Sequence, residues 1–425
     1  MTEEARRAIE AVWRIEAARL IAGLARLVRD VGVAEELAQD ALVAALETWP
    51  RAGVPENPGA WLMAAAKNRA LDQLRRYKML ERKNAELAAE MDLAHDLAAR
   101  ERAEAIDDAL SDGIGDDLLR LVFTACHPVL SPEARVALTL KLVGGLTTAE
   151  IARAYLAQEA TIAQRLVRAK RTLSEARVPF EVPRGAELEA RLASVLEVVY
   201  LVFNEGFAAT AGEDWTRPAL CEEALRLGRV LAGLMPQERE VHGLVALMEI
   251  QASRLPARVG PDGAPVLLMD QDRSRWDPLL IRRGLAALER AESLGGALGP
   301  YTLQAAIAAC HARARVASDT DWVRIAALYD ALAQVMPSPV VELNRAVAVG
   351  MAFGPAAGLE IADSLLEDPA MQGYHLLPSV RADFLAKLGR VEEARAEWMR
   401  AAGLAGNARE KALLMARASP TPGKA

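Results

Sequence analysis

The stretch LTTAEIARAYLAQEATIAQRLVRAKRTL, Leu146 to Leu173, decides how the first half of this 425-residue chain is read. Thr147 and Glu150 stand at capping-box spacing, where a hydroxyl and a carboxylate each satisfy a free backbone N–H, so a short helix starts there. The tetrapeptide AQEA, residues 157–160, makes a turn. Beyond it Ile162, Leu166, Ala169 and Leu173 fall on one helical stripe, while Gln164, Arg165, Arg168 and Arg171 point away from it. Two short helices joined by a tight turn, the second amphipathic with Arg and Gln outward, predict a helix-turn-helix with a recognition helix. Arg and Gln are side chains that read major-groove edges and hold phosphates. A basic surface helix in an ordinary bundle is the competing reading, because this turn lacks its common Gly.

Working outward, LLRLVFTACHPVL reads as an apolar helix stopped by Pro128. SPEARVALTLKLVGG has Ser131 as N-cap, Pro132 in the first turn and a terminating Gly144–Gly145 pair. Upstream, residues 1–48 read as two helices separated by a turn at 30–32. Trp13, Leu20, Leu24 and Leu27 recur on the first, and Leu37, Ala41, Ala44 and Leu46 face a core on the second. The opposite side of the second helix carries Glu35, Glu36, Gln39 and Asp40. Residues 50–58 hold three prolines and read as a loop. A third helix then runs from Gly59 to about Lys83, with Leu62, Ala66, Ala70 and Leu74 as its buried stripe. Trp61, Asn68, Asp72 and Arg75 share another face, suited to phosphates and unpaired bases. A Trp packed into the core, with Asn, Asp and Arg bonding one another, is the equal alternative.

The net charge of −7 hides how charge is distributed. Seven cations between Lys67 and Lys83 stand against Asp72 and Glu81. Eleven acids between Asn84 and Asp117 stand against Arg100 and Arg102, and five cations between Thr161 and Arg177 stand against Glu175. Two basic segments are thus separated by an acidic, Ala-rich one that reads as a linker with transient or docked helix.

Apolar residues make up 52% of the chain and aromatics 4%, and Ala, Leu, Arg and Glu dominate, which predicts an all-α protein with substantial cores. Cys126, Cys221 and Cys310 are too few and too scattered for a disulfide framework or a zinc module. The pairs Cys126–His127 and Cys310–His311 cannot each chelate one ion, since helical neighbours diverge by about 100°. No phosphate-binding Gly loop, HExxH or nucleophile elbow occurs, so no catalytic residue, metal or cofactor is expected, and the chain reads as a non-enzyme. NEGF (residues 204–207) and DQDRSRW (270–276) are the remaining polar clusters, read as buried hydrogen bonding. The N-terminus shows no secretory pattern and no stretch is apolar enough to span a bilayer, which predicts a cytoplasmic protein without membrane contact.

From residue 178 the chain changes character. VELNRAVAVGMAFGPAAGLEIADSLL and PSVRADFLAKLGRVEEARAEWMRAAGL align at an offset of roughly 36 residues, near the ~34 of tetratricopeptide (TPR) repeats. Ala346, Ala382 and Ala394 would let paired helices approach closely, and stacked pairs build a curved surface for a partner.

Taken together, AEELAQDALVAALETWP, PGAWLMAAAKNRALDQLRR and LTTAEIARAYLAQEATIAQRLVRAKRTL resemble, in the right order, an extracytoplasmic-function (ECF) sigma factor of bacterial RNA polymerase. The remainder, through LQAAIAACHARA, TDWVRIAALYD and PSPVVELNRAVAV, resembles the TPR-like C-terminal extension of one branch of that family. The resemblance implies sigma region 2 at 1–83, an acidic linker at 84–117, a region 4 helix-turn-helix at 118–177 and a TPR-like helical domain at 178–425. It implies that Glu35, Glu36, Gln39 and Asp40 meet the β′ coiled coil of core RNA polymerase, and that apolar helices near the helix-turn-helix meet the β flap. Arg51, Asn57, Trp61, Asn68, Arg75 and Arg76 would take the minus-ten element of promoter DNA. Thr161, Gln164, Arg165 and Arg168 would take the minus-thirty-five element. A regulatory protein or ligand at the C-terminal domain is a further possible partner. Ala64 stands where many relatives have a cation. The alternative is a stand-alone helix-turn-helix regulator with a helical sensing domain.

Overall fold

The computed structural model describes residues 3–70, 114–155, 157–209, 215–261 and 263–419. Among the described residues the chain is helical, with no strand and one isolated bridge between Val259 and Pro265. It divides into two compact units, Met1–Val198 and Val199–Ala425.

The first unit begins with α1 (Glu3–Val28) and α2 (Val31–Ala52). Arg29 takes a left-handed backbone (φ 56°) to end α1, and Asp30 caps α2, its Oδ1 accepting from Gly32 N (2.7 Å) and Val33 N (3.0 Å). Leu20, Ile21 and Leu24 of α1 are buried, as are Leu37, Ala38, Ala41, Ala45 and Trp49 of α2. The stripe on α2 therefore runs through Ala45 and Trp49, whereas Ala44 and Leu46 are only half-buried. The loop expected from residue 50 starts later. Pro50 lies inside the last turns of α2, which closes at Gly53 (φ 83°), whose N–H donates to Trp49 O at 2.9 Å. Pro50 cannot donate to Leu46 O and its ring crowds that carbonyl, and the helix runs only two residues further, to Ala52.

Helix α3 occupies residues 58–70. Asn57 caps it, Oδ1 accepting from Ala60 N at 3.1 Å, and Leu62, Ala66 and Ala70 are buried as the spacing predicts. The expected continuation to Lys83, with Leu74, lies outside the described residues. So does most of the acidic segment, but its last residues, 114–117, are not linker. They open α4 (Ile114–Ala125), where buried Asp117 pairs with Arg26 (3.3 Å) and Arg120 (2.6 Å). A buried acid held by two partly exposed guanidinium groups belongs to a packed core, which composition alone does not reveal.

Helices α5 (Pro132–Leu142), α6 (Thr148–Ala154) and α7 (Glu159–Glu175) follow. Ser131 caps α5 at 3.4 Å to Ala134 N. The capping box of α6 forms in both directions: Thr147 N donates to Glu150 Oε2 (2.8 Å) and Glu150 N to Thr147 Oγ1 (3.1 Å). On α7 the buried residues are Ile162, Leu166, Ala169 and Leu173.

Helix α8 (Ala186–Phe207) begins within this unit, although the sequence placed residues 178–198 with the tail. Arg191 Nη2 donates to Phe123 O (2.8 Å) and Ser194 Oγ to Cys126 O (2.6 Å). Buried Arg135 of α5 donates to Ser194 and to Glu197. The first two of these bonds satisfy open carbonyls at the end of α4.

The second unit holds the rest of α8 and then α9 (Pro218–Leu234), α10 (Arg239–Ala252), α11 (Pro278–Ser293), α12 (Pro300–Arg313) and α13 (Trp322–Val335). The repeat detected in the sequence forms two helix pairs, α14 (Pro339–Phe353) with α15 (Pro355–Ser364), and α16 (Leu376–Lys387) with α17 (Val391–Leu404). Helix α18 (Ala408–Ala418) closes the series. Ala346, Ala382 and Ala394 are fully buried, the close approach their size predicts in a TPR-like repeat.

Candidate nucleic-acid interface

The second helix of the helix-turn-helix, α7, turns its apolar stripe inward, and this leaves Thr161, Gln164 and Arg168 exposed and Arg165 half-exposed. All four line one shallow groove of about 400 Å³, whose other wall is the start of α5: Ser131, Glu133 and Ala134. The Glu133 carboxyl is held below its ordinary value, first by its own backbone N–H and the Ser131 hydroxyl, with Arg165 adding attraction. The four α7 side chains offer two guanidinium groups, an amide and a hydroxyl along one open wall, a donor set matched to phosphates and purine edges. Ser131 and Glu133 were missed as groove residues; the SPE tripeptide signalled only a helix start. Arg171 stands outside the groove and pairs with Glu175 at 3.3 Å.

The residues expected at the minus-ten element are partly brought together. Arg51 is exposed on the last turn of α2, Asn57 is exposed but spends its carbonyl on capping α3, and Asn68 is exposed further along α3. Trp61 is half-buried, edge-on to buried Trp49 with centroids 5.4 Å apart and planes at 67°. It is neither sealed in the core nor freely presented, and Trp49, its support, was not singled out in the sequence. Arg75 and Arg76 lie outside the described residues.

The expected carboxylate flank of α2 needs a correction. Glu36, Gln39 and Asp40 are exposed, but Glu35 is buried. Its carboxylate accepts from Lys170 Nζ (2.9 Å) and Gln39 Nε2 (2.8 Å), with Lys141 Nζ at 3.7 Å. Lys170 lies on α7, so that helix is fastened to α2 on a face away from the groove. Asp40 sits 3.9 Å from Arg69, a loose exposed pair. The helical spacing put Glu35 beside Glu36, and only packing against α5 and α7 decides that it is enclosed.

The cysteines carry no reactive geometry. Cys126 shares a hydrogen bond with Thr139 Oγ1 (3.2 Å), and burial pushes its thiol up to about 11 and that of Cys221 up to about 12. His127 Nδ1 accepts from Val129 N at 3.1 Å, a turn contact.

The first unit thus combines a capped, three-helix module with a helix-turn-helix that carries a cationic groove. Comparison with known proteins specifies it further. Residues 15–79 match sigma-70 region 2, residues 120–173 match sigma-70 region 4, and residues 191–292 match a family of unknown function, DUF6596. The ECF RNA polymerase sigma factor SigK of Mycobacterium ulcerans is 33% identical over 155 residues, 35% of this chain and 75% of the relative. Uncharacterized protein R00370 of Rhizobium meliloti is 43% identical over 391 residues, 92% of this chain and 90% of the relative. The probable ECF RNA polymerase sigma factor SigI of Mycobacterium tuberculosis is 27% identical over 174 residues, 41% of this chain and 57% of the relative. The chain belongs to the ECF RNA polymerase sigma factor family. Among the described residues no helix is long and apolar enough to cross a membrane.

Proposed function

We propose that this chain binds core RNA polymerase and directs initiation at particular promoters, acting through binding energy and without covalent catalysis. The observation that carries this reading is the groove on α7, where the four side chains expected to read the minus-thirty-five element share one open wall of about 400 Å³. Thr161, Gln164, Arg165 and Arg168 take that element in the major groove. Exposed Glu36, Gln39 and Asp40 on α2 face the β′ coiled coil. Arg51, Asn57, Asn68 and the open part of Trp61, continued by Arg75 and Arg76, take the minus-ten strand. Stacking on such a ring returns ~1–3 kcal/mol per base against the few kcal/mol that unpairing costs. The C-terminal helical unit modulates this activity.

The test is reconstitution: purified core polymerase, with and without the chain, transcribes a genomic template library and start sites are mapped. Starts clustered below one shared pair of promoter elements are expected. Failure to form a complex with the core enzyme, with tight duplex binding by the chain alone, would replace this reading with a stand-alone regulator.

A further inference from the structure

Two polar clusters noted in the sequence, NEGF and DQDRSRW, have no part in promoter reading, and the second unit brings them together. Phe207 of the first cluster lies under Arg258, whose guanidinium carbon is 3.7 Å from the ring centroid. Arg254 stands 5.6 Å from the same ring and 5.6 Å from that of Trp276. Arg273 of the second cluster is 5.0 Å from Trp276, and Trp215 lies 5.5 Å from Arg258. Three cationic groups and three aromatic rings therefore form one continuous cluster.

Among the described residues its charge is unbalanced. Arg254 and Arg258 are each only 8% exposed, and among the described residues no carboxylate forms an ion pair with any of the three arginines. Elsewhere the chain pairs its enclosed arginines with acids: Arg217 with Glu205, Arg135 with Glu197, Arg191 with Glu187. Here Arg254 donates to the amides of Gln251 (2.6 Å) and Gln271 (3.3 Å). Arg273 donates to the His311 and Ala314 carbonyls (2.8 Å each) and to Thr320 Oγ1 (3.0 Å). Asp319 attracts Arg273 only from a distance. Arg258 donates no hydrogen bond to any described residue, and the Nε atoms of Arg258 and Arg273 and Nδ1 of His311 are buried without a partner.

Burying a guanidinium without a counter-charge is costly, and ring contacts offset only part of that cost. Mutual repulsion adds to the cost: burial first, then Arg258 and Arg273, push Arg254 down to about 9. A fold that brings Phe207, Trp215, residues 254–258, residues 273–276 and His311 together leaves these guanidinium groups without a counter-charge among the described residues, a setting that favours an added anion. We propose that Arg254, Arg258 and Arg273, walled by Phe207, Trp215 and Trp276, form a binding site for a small-molecule oxyanion, a carboxylate or a phosphate. Arg258 supplies the open guanidinium fork, the geometry that matches two oxygens of one such group. The site is independent of the transcriptional reading, and its test does not involve polymerase.

Thermal unfolding of the full chain is followed in chloride buffer, with inorganic phosphate or acetate added at constant ionic strength. At least one of them raises the melting temperature saturably, as a ligand specific to the folded state must. Arg258→Met abolishes that rise and, in chloride alone, melts no lower than wild type, since an uncompensated buried charge has gone. Arg258→Lys keeps the charge but not the fork, and at least tenfold more anion is needed for the same shift. Arg395→Met, on an exposed face, responds like wild type. The proposal fails if neither anion shifts wild type, or if Arg258→Lys responds at wild-type concentrations; these two measurements decide even where Arg258→Met does not fold. Phosphate alone acting assigns a phosphorylated ligand, and acetate alone a carboxylate.

Discussion

Arg168 and His311 show how one side chain takes its role from its surroundings. Arg168 is exposed on α7 and lines the groove, so nothing in the fold depends on it. Arg168→Ala is expected to leave the melting temperature unchanged and to weaken promoter use by ~1–3 kcal/mol; start-site output in reconstituted transcription, beside a melting curve, measures both. His311 is the opposite case. Burial, with the guanidinium groups of Arg254 and Arg273, pushes its pKa down to about 4 from an ordinary 6.5. The unfolded chain therefore takes up the proton first. Stability from this neutral ring is complete above pH 6.5 and is lost as pH falls from there toward 4. Melting temperatures between pH 7 and pH 5 are expected to drop less in His311→Gln than in wild type. His311 was visible in the sequence only as half of a Cys–His pair; its neighbours come from segments far away in the chain.

At the scale of elements, apolar stripes and caps predicted the helices well because they depend on neighbours three or four residues apart. The buried set on α7 and the capping box on α6 are the clearest instances. Contacts between elements were less legible. Glu35 reads as a surface acid, yet Lys170 on α7 and Lys141 on α5 enclose it. A double-mutant cycle of Glu35→Gln and Lys170→Met is expected to give a coupling energy of ~1–3 kcal/mol in thermal or denaturant unfolding. A value near zero would mean that the pair is solvated and unimportant. Gly358 sets the approach of α15 to its neighbours. A Cβ there would meet the Phe384 ring at 2.5 Å, Ala346 O at 2.7 Å and Gly350 Cα at 2.8 Å. Gly358→Ala is expected to destabilise the C-terminal unit by ~1–3 kcal/mol through overpacking, read as a lower denaturant midpoint.

Over the whole molecule, the place where the first unit ends changes how the tail must be tested. The change in composition at residue 178 suggests a cut after Arg177, but residues 178–198 complete the first unit. Removing them strips Ser194 and Glu197 from Arg135, which is 8% exposed, and Arg191 from the Phe123 carbonyl. The same cut removes buried Leu192, Val195, Leu196 and Val198, each large apolar side chain worth ~1.5–3 kcal/mol of burial, a large part of the stability of a domain. Residues 1–198 are expected to melt cooperatively, with 1–177 melting far lower or not folding; circular dichroism of the two fragments checks this. Regulation by the tail is then read by comparing transcription from 1–198 with that of the full chain.

What the sequence determined by itself were the local features: helices, caps, the outward cations of α7, the repeat of the tail and the order of motifs that carries the family resemblance. Each follows from periodicity and from hydrogen bonds that close within a few residues. Only the tertiary structure decided that Glu35 is enclosed, that Asp117 joins a core, that α8 begins in the first unit, and that Arg254, Arg258 and Arg273 gather around three rings. Those outcomes depend on burial and electrostatic fields produced by residues tens of positions apart, and no pattern along the chain records that distance.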